Sequence, residues 1–437
     1  MSRRPPPVPR TPLPGYLLPD TARIGSDGHL SVGGVDLVEL AGAIGTPVFV
    51  YDEAQLRARC REAVAAWGDG VAYATKAFLC KAMATLAYEE GMALDVSTGG
   101  ELAVALAAGV PGDRLVLHGN NKSHEELRTA LEAGVGRIVV DSFDELDRLE
   151  ALVPTGSGGG TGAPRVLVRV TPGVEAHTHE YVRTGQDDAK FGFSVGSGAA
   201  SKALDRLAGV PGLQVVGVHA HIGSQVFAIE SFQKAVAVLA EFVAPLGLPE
   251  LCVGGGLGVP YVTGEAAPSL RQWAIAVRRA AIDAGLPQGT RISAEPGRAI
   301  VAAAGMTLYR VGTVKELSGI RTYVSVDGGM SDNPRPVLYG SGYEAFLPRA
   351  AAAPRPRLVT VVGKHCESGD ALVWDGTVPD DLAVGDILAT PVTGAYGHAM
   401  ASTYNKVPRP PVVFVADGRV RTVVRRETYA DLLRLDE

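Results

Sequence analysis

The sequence predicts an α/β protein made of a parallel (β/α)8 TIM-type barrel and an antiparallel β-sandwich or β-barrel domain. Three observations lead there. Between residues 71 and 295 short apolar, β-branched runs alternate with longer helical stretches. Polar residues gather at the carboxyl ends of those runs. After Gly305 the texture changes to short alternating strands broken by Gly, Pro and Asp turns.

The barrel strands are read as "VAYATK" (71–76), "ALDVS" (93–97), "LVLH" (115–118), "RIVVD" (137–141), "VLVRV" (166–170), "VVGVHAH" (215–221), "LCVGGG" (251–256) and "RISAE" (291–295). The stretches between them show helical spacing, as in Leu56, Cys60, Val64 and Trp67, and open on caps such as Ser123-His124-Glu125-Glu126. "RTYVSVDGGM", "PRLVTVVG", "GDILATPV" and "PVVFVADGRVRTVVRRET" supply the second domain, joined by "HLSVGG" and "TPVFVYD" from ahead of the barrel. The expected division is a flexible segment over 1–20, a β domain from 21–50 and 305–437, and a cofactor-binding barrel over 51–304. "PTGSGGGTGAP" (154–164) reads as a tolerated surface loop.

The chain has 437 residues, a formal net charge of −6 and no long basic run, which argues against a nucleic-acid partner and for a small-molecule ligand. The start, "MSRRPPPVPRTPLPGY", lacks the apolar core of a signal peptide, and no apolar run is long enough to span a bilayer. Cys60, Cys80, Cys252 and Cys366 are too few and too scattered for a disulfide framework and show no paired spacing for zinc. Free thiols, no metal and a cytoplasmic location are therefore expected.

Chemistry in such barrels sits at the carboxyl ends of the strands, where this chain has Lys76, Asp95, His118, Asp141, His221, Gly254, Gly255, Gly256 and Glu295. Lys76 closes the run "VAYATKAF"; alone it reads as solvated, but inside this ring of polar groups it reads as an amine held in a cavity. "GGGLG" (254–258) and "EPGR" (295–298, with Pro296 and Gly297) follow the last two strands, where barrels commonly bind a phosphate through backbone N–H groups. A phosphate site, an amine and a buried carboxylate together point to pyridoxal 5'-phosphate. The amine condenses with its aldehyde, and the carboxylate keeps its pyridine nitrogen protonated. Glu295 suits the second role; its plainer alternative is a structural partner for Arg298. His219 and His221 alternate on a strand, so one faces the barrel mouth and the other the wall. His221 is read as stacking on the cofactor ring, with Ser224 offering its hydroxyl to the phosphate.

"YATKAF", "DVSTGGE", "HGNNKS", "THEYVRTG" with "KFGF", "GVHAHIGSQ", "GGGLGVPY", "AEPGR", "VDGGMSDNPRPVLYG", "GKHCESGD" and "GAYGHAMASTYN" resemble, in order, the motifs of the diaminopimelate decarboxylases, from about residue 24 to the C-terminus. The resemblance implies an alanine-racemase-like barrel with a β domain, a pyridoxal-phosphate enzyme of lysine biosynthesis, and a head-to-tail homodimer with shared active sites. It further implies that Lys76 carries the cofactor, that the Gly256 region and the "EPGR" turn hold its phosphate, and that Tyr396 reaches it from the β domain. Arg298, Arg335, Tyr339 and Tyr396 are implied as substrate ligands. Cys366, as proton donor, and Glu367 are implied as groups lent by the second subunit. The chain departs from the usual pattern at His398, at Thr403 and in "SGYEAFLPRAAAAPRPR". One rival is a decarboxylase of the same fold acting on ornithine, arginine or a carrier-bound amino acid; the Arg335 and Tyr339 pair speaks against it. The other is a non-catalytic cofactor-binding homologue, against which stand Lys76 and Cys366.

Overall fold

The computed structural model describes residues 11–153, 163–174 and 189–437. Most of the glycine-rich loop at 154–164, the string "THEYVRTG" (178–185) and the first ten residues lie outside the described residues. The chain forms two compact units, one of Arg59–Val259 with Ala267–Ile300, the other of Met1–Ala58, Pro260–Ala266 and Val301–Glu437.

In the first unit the strands Ala72–Ala74, Ala93–Val96, Leu115–Leu117, Arg137–Val140, Arg165–Thr171, Gln214–His219, Glu250–Cys252 and Arg291–Ser293 pair side by side in that order, all parallel. A parallel bridge from Val71 to Ala294, with the Ala72 N–H donating to the Ala294 carbonyl at 3.0 Å, joins the last strand to the first. This closure leaves no sheet edge. Ala72, Val116, Val139, Leu167, Val216 and Cys252 form one buried cluster, a mixture of small and branched side chains suited to a tapering interior. Outside, helix Glu53–Trp67 buries Leu56 and Cys60, and Trp67 meets Trp273 edge-on with ring centroids 4.7 Å apart. The cap at Ser123 is a full capping box with Glu126.

Most of the strands end earlier than their apolar patterns suggest. The ladder stops once the chain turns toward the following helix, so Lys76, His118, Asp141, His221, the three glycines and Glu295 stand on the turns beyond the strands, while Asp95 remains on its strand. Lys76 lies in the 3-10 turn Thr75–Ala77, is exposed, and its charge acts on Asp95 and His221 at the barrel mouth. The fully buried lysine is Lys122, whose Nζ reaches Glu145 at 2.8 Å and the carbonyls of Gly119 at 2.6 Å and Val139 at 2.8 Å.

The second unit is built on a sheet ordered Ala371–Val378, Arg357–Val362, Arg321–Val326, Gly305–Leu317, Val48–Asp52, Val412–Ala416 and Arg419–Val424, with Ile387–Pro391 also paired to Gly305–Leu317. The first half of that 13-residue strand pairs with Val48–Asp52 and Ile387–Pro391, and the second half with Arg321–Val326. The switch falls at a register shift between Val311 and Thr313, where Gly312 lets the strand bend. Two of the pairings are parallel, contrary to the wholly antiparallel expectation: Arg321–Val326 with Arg357–Val362, and Val48–Asp52 with Val412–Ala416. Neither pair is joined by a hairpin; the first is linked by a crossover carrying helix Arg335–Tyr339, so nothing forces reversal. Within "HLSVGG", Leu30–Val32 belongs to a separate three-stranded sheet with Arg23–Ile24 and Val35–Asp36. Strand Ala371–Val378 and helix Leu37–Ile44 are additions that the sequence pattern does not announce. Among the described residues no helix is long and apolar enough to cross a membrane.

Candidate active site

At the carboxyl end of the barrel Glu295 is buried and doubly hydrogen-bonded, His118 Nε2 lying 2.8 Å from Oε1 and His219 Nε2 lying 2.9 Å from Oε2. A carboxylate only accepts, so both histidine nitrogens facing it carry protons. Asp95 Oδ1 lies 3.6 Å from the same His118 nitrogen, and the two imidazoles meet edge to face with centroids 4.7 Å apart. Burial alone would raise the Glu295 carboxyl, but the adjacent His118 and His219 hold it well below the usual carboxylate range. Burial pushes Asp95 up to about 6 and His219 down to about 4. His118 is raised in spite of its own burial because it faces both Asp95 and Glu295. Sequence reasoning misses His219 as a partner of Glu295 and weighs Arg298 instead; in the structure Arg298 Nη2 donates to Ser224 Oγ at 2.9 Å.

The glycine loop is dictated by backbone approach. A Cβ on Gly254 (φ +67) would lie 2.4 Å from the Ala220 oxygen, one on Gly255 2.2 Å from the Glu295 oxygen and one on Gly256 (φ +110) 2.1 Å from the Gly223 oxygen. Three chain segments therefore converge where only glycine fits. The Gly255 N–H donates to His221 Nδ1 at 3.1 Å, which leaves the ring proton of a neutral imidazole on Nε2. His221 is held well below its ordinary pKa by burial, reinforced by Lys76 and Arg169. The Pro296 carbonyl accepts from the Ala74 N–H at 3.2 Å, and a Cβ on Gly297 would lie 2.9 Å from the Ala74 oxygen, so the "EPGR" turn is tied to the strand that leads to Lys76. Asp141 instead accepts from the Gly192 N–H at 2.7 Å and faces Arg169, a tie within the barrel wall.

In the second unit Arg335 and Tyr339 share the short helix Arg335–Tyr339. Arg335 is buried, donates from Nη1 to the Tyr343 hydroxyl at 2.7 Å and lies 4.3 Å over the Tyr261 ring. Among the described residues no carboxylate forms an ion pair with it. Tyr396 is half-buried with a left-handed backbone (φ +59) and adds to the field at Arg335. Cys366 is exposed, and its N–H donates to Asn405 Oδ1 at 3.2 Å, an atom that also meets His365 Nδ1 at 3.2 Å. Exposed Glu367 accepts from the Tyr404 hydroxyl at 2.6 Å. "GKHCESGD" and "STYNK" thus form one cluster. Sequence reasoning does not pick out Tyr261, Tyr343, His365, Tyr404 or Asn405; the strings "GVPY" and "STYN" are the available signal. His398 sits edge-on against Phe49 at 5.7 Å and is pushed down to about 4 by burial.

A closed barrel with a lysine, an ionised carboxylate and a glycine loop at its carboxyl end defines a pyridoxal-dependent decarboxylase, and the family model described as "Pyridoxal-dependent decarboxylase, pyridoxal binding domain" matches residues 53–302. The curated diaminopimelate decarboxylase of Mycobacterium tuberculosis (strain ATCC 25618 / H37Rv) is 47% identical over 429 residues, covering 94% of this chain and 95% of its own. That of Bacillus subtilis (strain 168) is 45% identical over 435 residues, covering 95% and 97%. The crystal structure of diaminopimelate decarboxylase from M. jannaschii in complex with L-lysine superposes with a TM-score of 0.87 at 33% identity, covering 96% of this chain and 98% of that one. The chain belongs to the diaminopimelate decarboxylase family.

Proposed function

We propose that this protein decarboxylates meso-2,6-diaminopimelate to L-lysine and CO2 with pyridoxal 5'-phosphate as cofactor. The strongest support is the likeness to curated diaminopimelate decarboxylases over both units of the chain. The M. jannaschii relative binds L-lysine, the product of this reaction.

The residues present fit the cofactor. A protonated pyridine nitrogen needs a carboxylate that stays ionised when buried, and Glu295 is held so by two histidines. A phosphate needs backbone N–H groups at close-approach turns, which Gly254, Gly256 and Gly297 would provide; Gly255, whose own N–H is engaged by His221 Nδ1, and Pro296 shape the turns, with Ser224 and Arg298 beside them. An aldehyde needs an accessible amine, and Lys76 is exposed on its turn. When bound, pyridoxal phosphate supplies an electron-withdrawing ring that accepts the electron pair left as CO2 departs. When the cofactor is bound, His221 would pack against its ring, Asp95 would flank it, and Tyr396 would reach its phosphate.

In the reaction the bond from the α-carbon to its carboxylate breaks, and a proton is then delivered to that carbon. Cys366 delivers this proton from its thiol; its exposure in the single chain suits a group that serves a second subunit. Glu367 holds the distal ammonium. Arg335, with Arg298, Tyr339 and Tyr396, clamps the distal carboxylate. A buried guanidinium surrounded by tyrosines and no carboxylate calls for an anion from outside the described residues, which the distal carboxylate supplies and ornithine or arginine does not. The active form is a homodimer that shares its active sites. A cytoplasmic setting agrees with four free cysteines, three of them buried.

The test is a substrate panel. Protein reconstituted with pyridoxal phosphate is given meso-diaminopimelate, ornithine, arginine and lysine in turn, and CO2 is measured. Release from diaminopimelate with little from the others is expected; preference for ornithine or arginine contradicts the substrate assignment.

A further inference from the structure

Glu295 is surrounded in a way that its cofactor role alone does not require. Each of its carboxylate oxygens receives a separate histidine, His118 from the turn just after the third barrel strand and His219 from the end of the sixth. Their settings differ. His118 lies between two carboxylates, 2.8 Å from Glu295 and 3.6 Å from Asp95. Among the described residues His219 pairs with no carboxylate but Glu295, and its other ring nitrogen, Nδ1, is buried with no hydrogen-bond partner. An imidazolium with a bare buried N–H is costly, whereas a neutral ring whose bare nitrogen is an acceptor costs less. The same geometry that gives His118 two anions therefore favours a charged His118 and a neutral His219.

We propose that His118 and His219 are positioning residues that keep Glu295 ionised beneath the cofactor, and that they act differently, His118 supplying a positive charge and His219 a neutral hydrogen bond. The inference rests on the reading in which Glu295 meets the pyridine nitrogen. A buried carboxylate without compensation takes up a proton, and the nearest proton is the one on that nitrogen. Loss of compensation would move it from ring to carboxyl and weaken the ring as an acceptor of electrons. The direction of the titration shifts agrees, with His118 raised and His219 lowered. Other charged neighbours do not replace His118. Arg169 also attracts Glu295 and Asp95, but its hydrogen bond goes to Asp141 Oδ2 at 3.4 Å, whereas His118 bonds Glu295 directly; Lys76 acts on Asp95 and His221.

The experiment uses holoenzyme reconstituted with pyridoxal phosphate labelled with nitrogen-15 in the ring, whose chemical shift reports protonation directly. Five forms are compared: wild type, Glu295→Gln, His118→Gln, His219→Gln and the double leucine variant H118L/H219L. Glutamine places an amide N–H near the position of Nε2 but carries no charge. We expect a protonated signal in wild type and in His219→Gln. We expect a signal moved to the unprotonated position in His118→Gln and in the leucine variant. If Glu295→Gln keeps the protonated signal, the underlying reading of Glu295 fails. If Glu295→Gln moves the signal but His118→Gln does not, or if both glutamine variants of the histidines move it equally, the proposed division is overturned while Glu295 stands. Should the leucine variant fail to fold, judged by circular dichroism, the two glutamine variants decide the outcome.

Discussion

Arg335 carries a full charge into a pocket of aromatic rings, held by the Tyr343 hydroxyl and the face of Tyr261. Tyrosines orient a guanidinium, but they do not neutralise it. Removing a charge-assisted contact to the distal carboxylate typically costs about 2 kcal/mol or more, so Arg335→Ala should lower kcat/KM for diaminopimelate by roughly thirtyfold or beyond. Its visible cofactor absorption should be unchanged. Steady-state kinetics with unchanged turnover in the variant would remove Arg335 from the substrate site. Lys76 makes a complementary prediction. Wild-type holoenzyme should show a visible absorption band that borohydride abolishes, with the reduced cofactor recovered by peptide mapping on Lys76. Lys76→Ala should show no such band. A label on any other lysine would contradict the assignment.

The turn after the third barrel strand and helix Phe143–Leu152 are locked by Lys122 and Glu145, both almost fully buried and 2.8 Å apart. Replacing one partner of such a pair leaves an uncompensated charge and typically costs about 3–5 kcal/mol. Lys122→Met should lower the unfolding free energy by that order, read by urea denaturation, and adding Glu145→Leu should restore most of it. If Lys122→Met leaves stability unchanged, the lock does not contribute. This pair also shows what is legible in the chain. The eight barrel strands can be read because each is a local apolar run, and the glycine loop because its position after the seventh strand gives it meaning. Lys122 escapes notice because local pattern does not tell which amine meets three acceptors once strands close into a barrel. The contact of His118 and His219 with Glu295 is hidden for the same reason: 177 and 76 residues separate the partners, and only closure brings them together. The parallel pairings in the second unit are likewise invisible, since strand texture does not encode the direction of a non-hairpin neighbour.

At the scale of the whole molecule, the proposed function assigns Lys76 to one subunit's contribution and Cys366 to the other's. Lys76→Ala and Cys366→Ala proteins should each be inactive, and mixing them under conditions of subunit exchange should restore activity. Random pairing makes half the dimers mixed, each with one intact site of two, so about a quarter of wild-type activity is expected. Demonstrated exchange without recovery would mean that each site is complete within one chain, or that these two residues do not hold the assumed roles. The central claim is the reaction itself, and product analysis tests it most directly. Purified protein with pyridoxal phosphate and meso-diaminopimelate should yield L-lysine and CO2 in equal amounts, measured by chiral chromatography and gas release, with neither formed when the cofactor is withheld. Release of CO2 without L-lysine, or no consumption of diaminopimelate by fully loaded protein, would contradict the account.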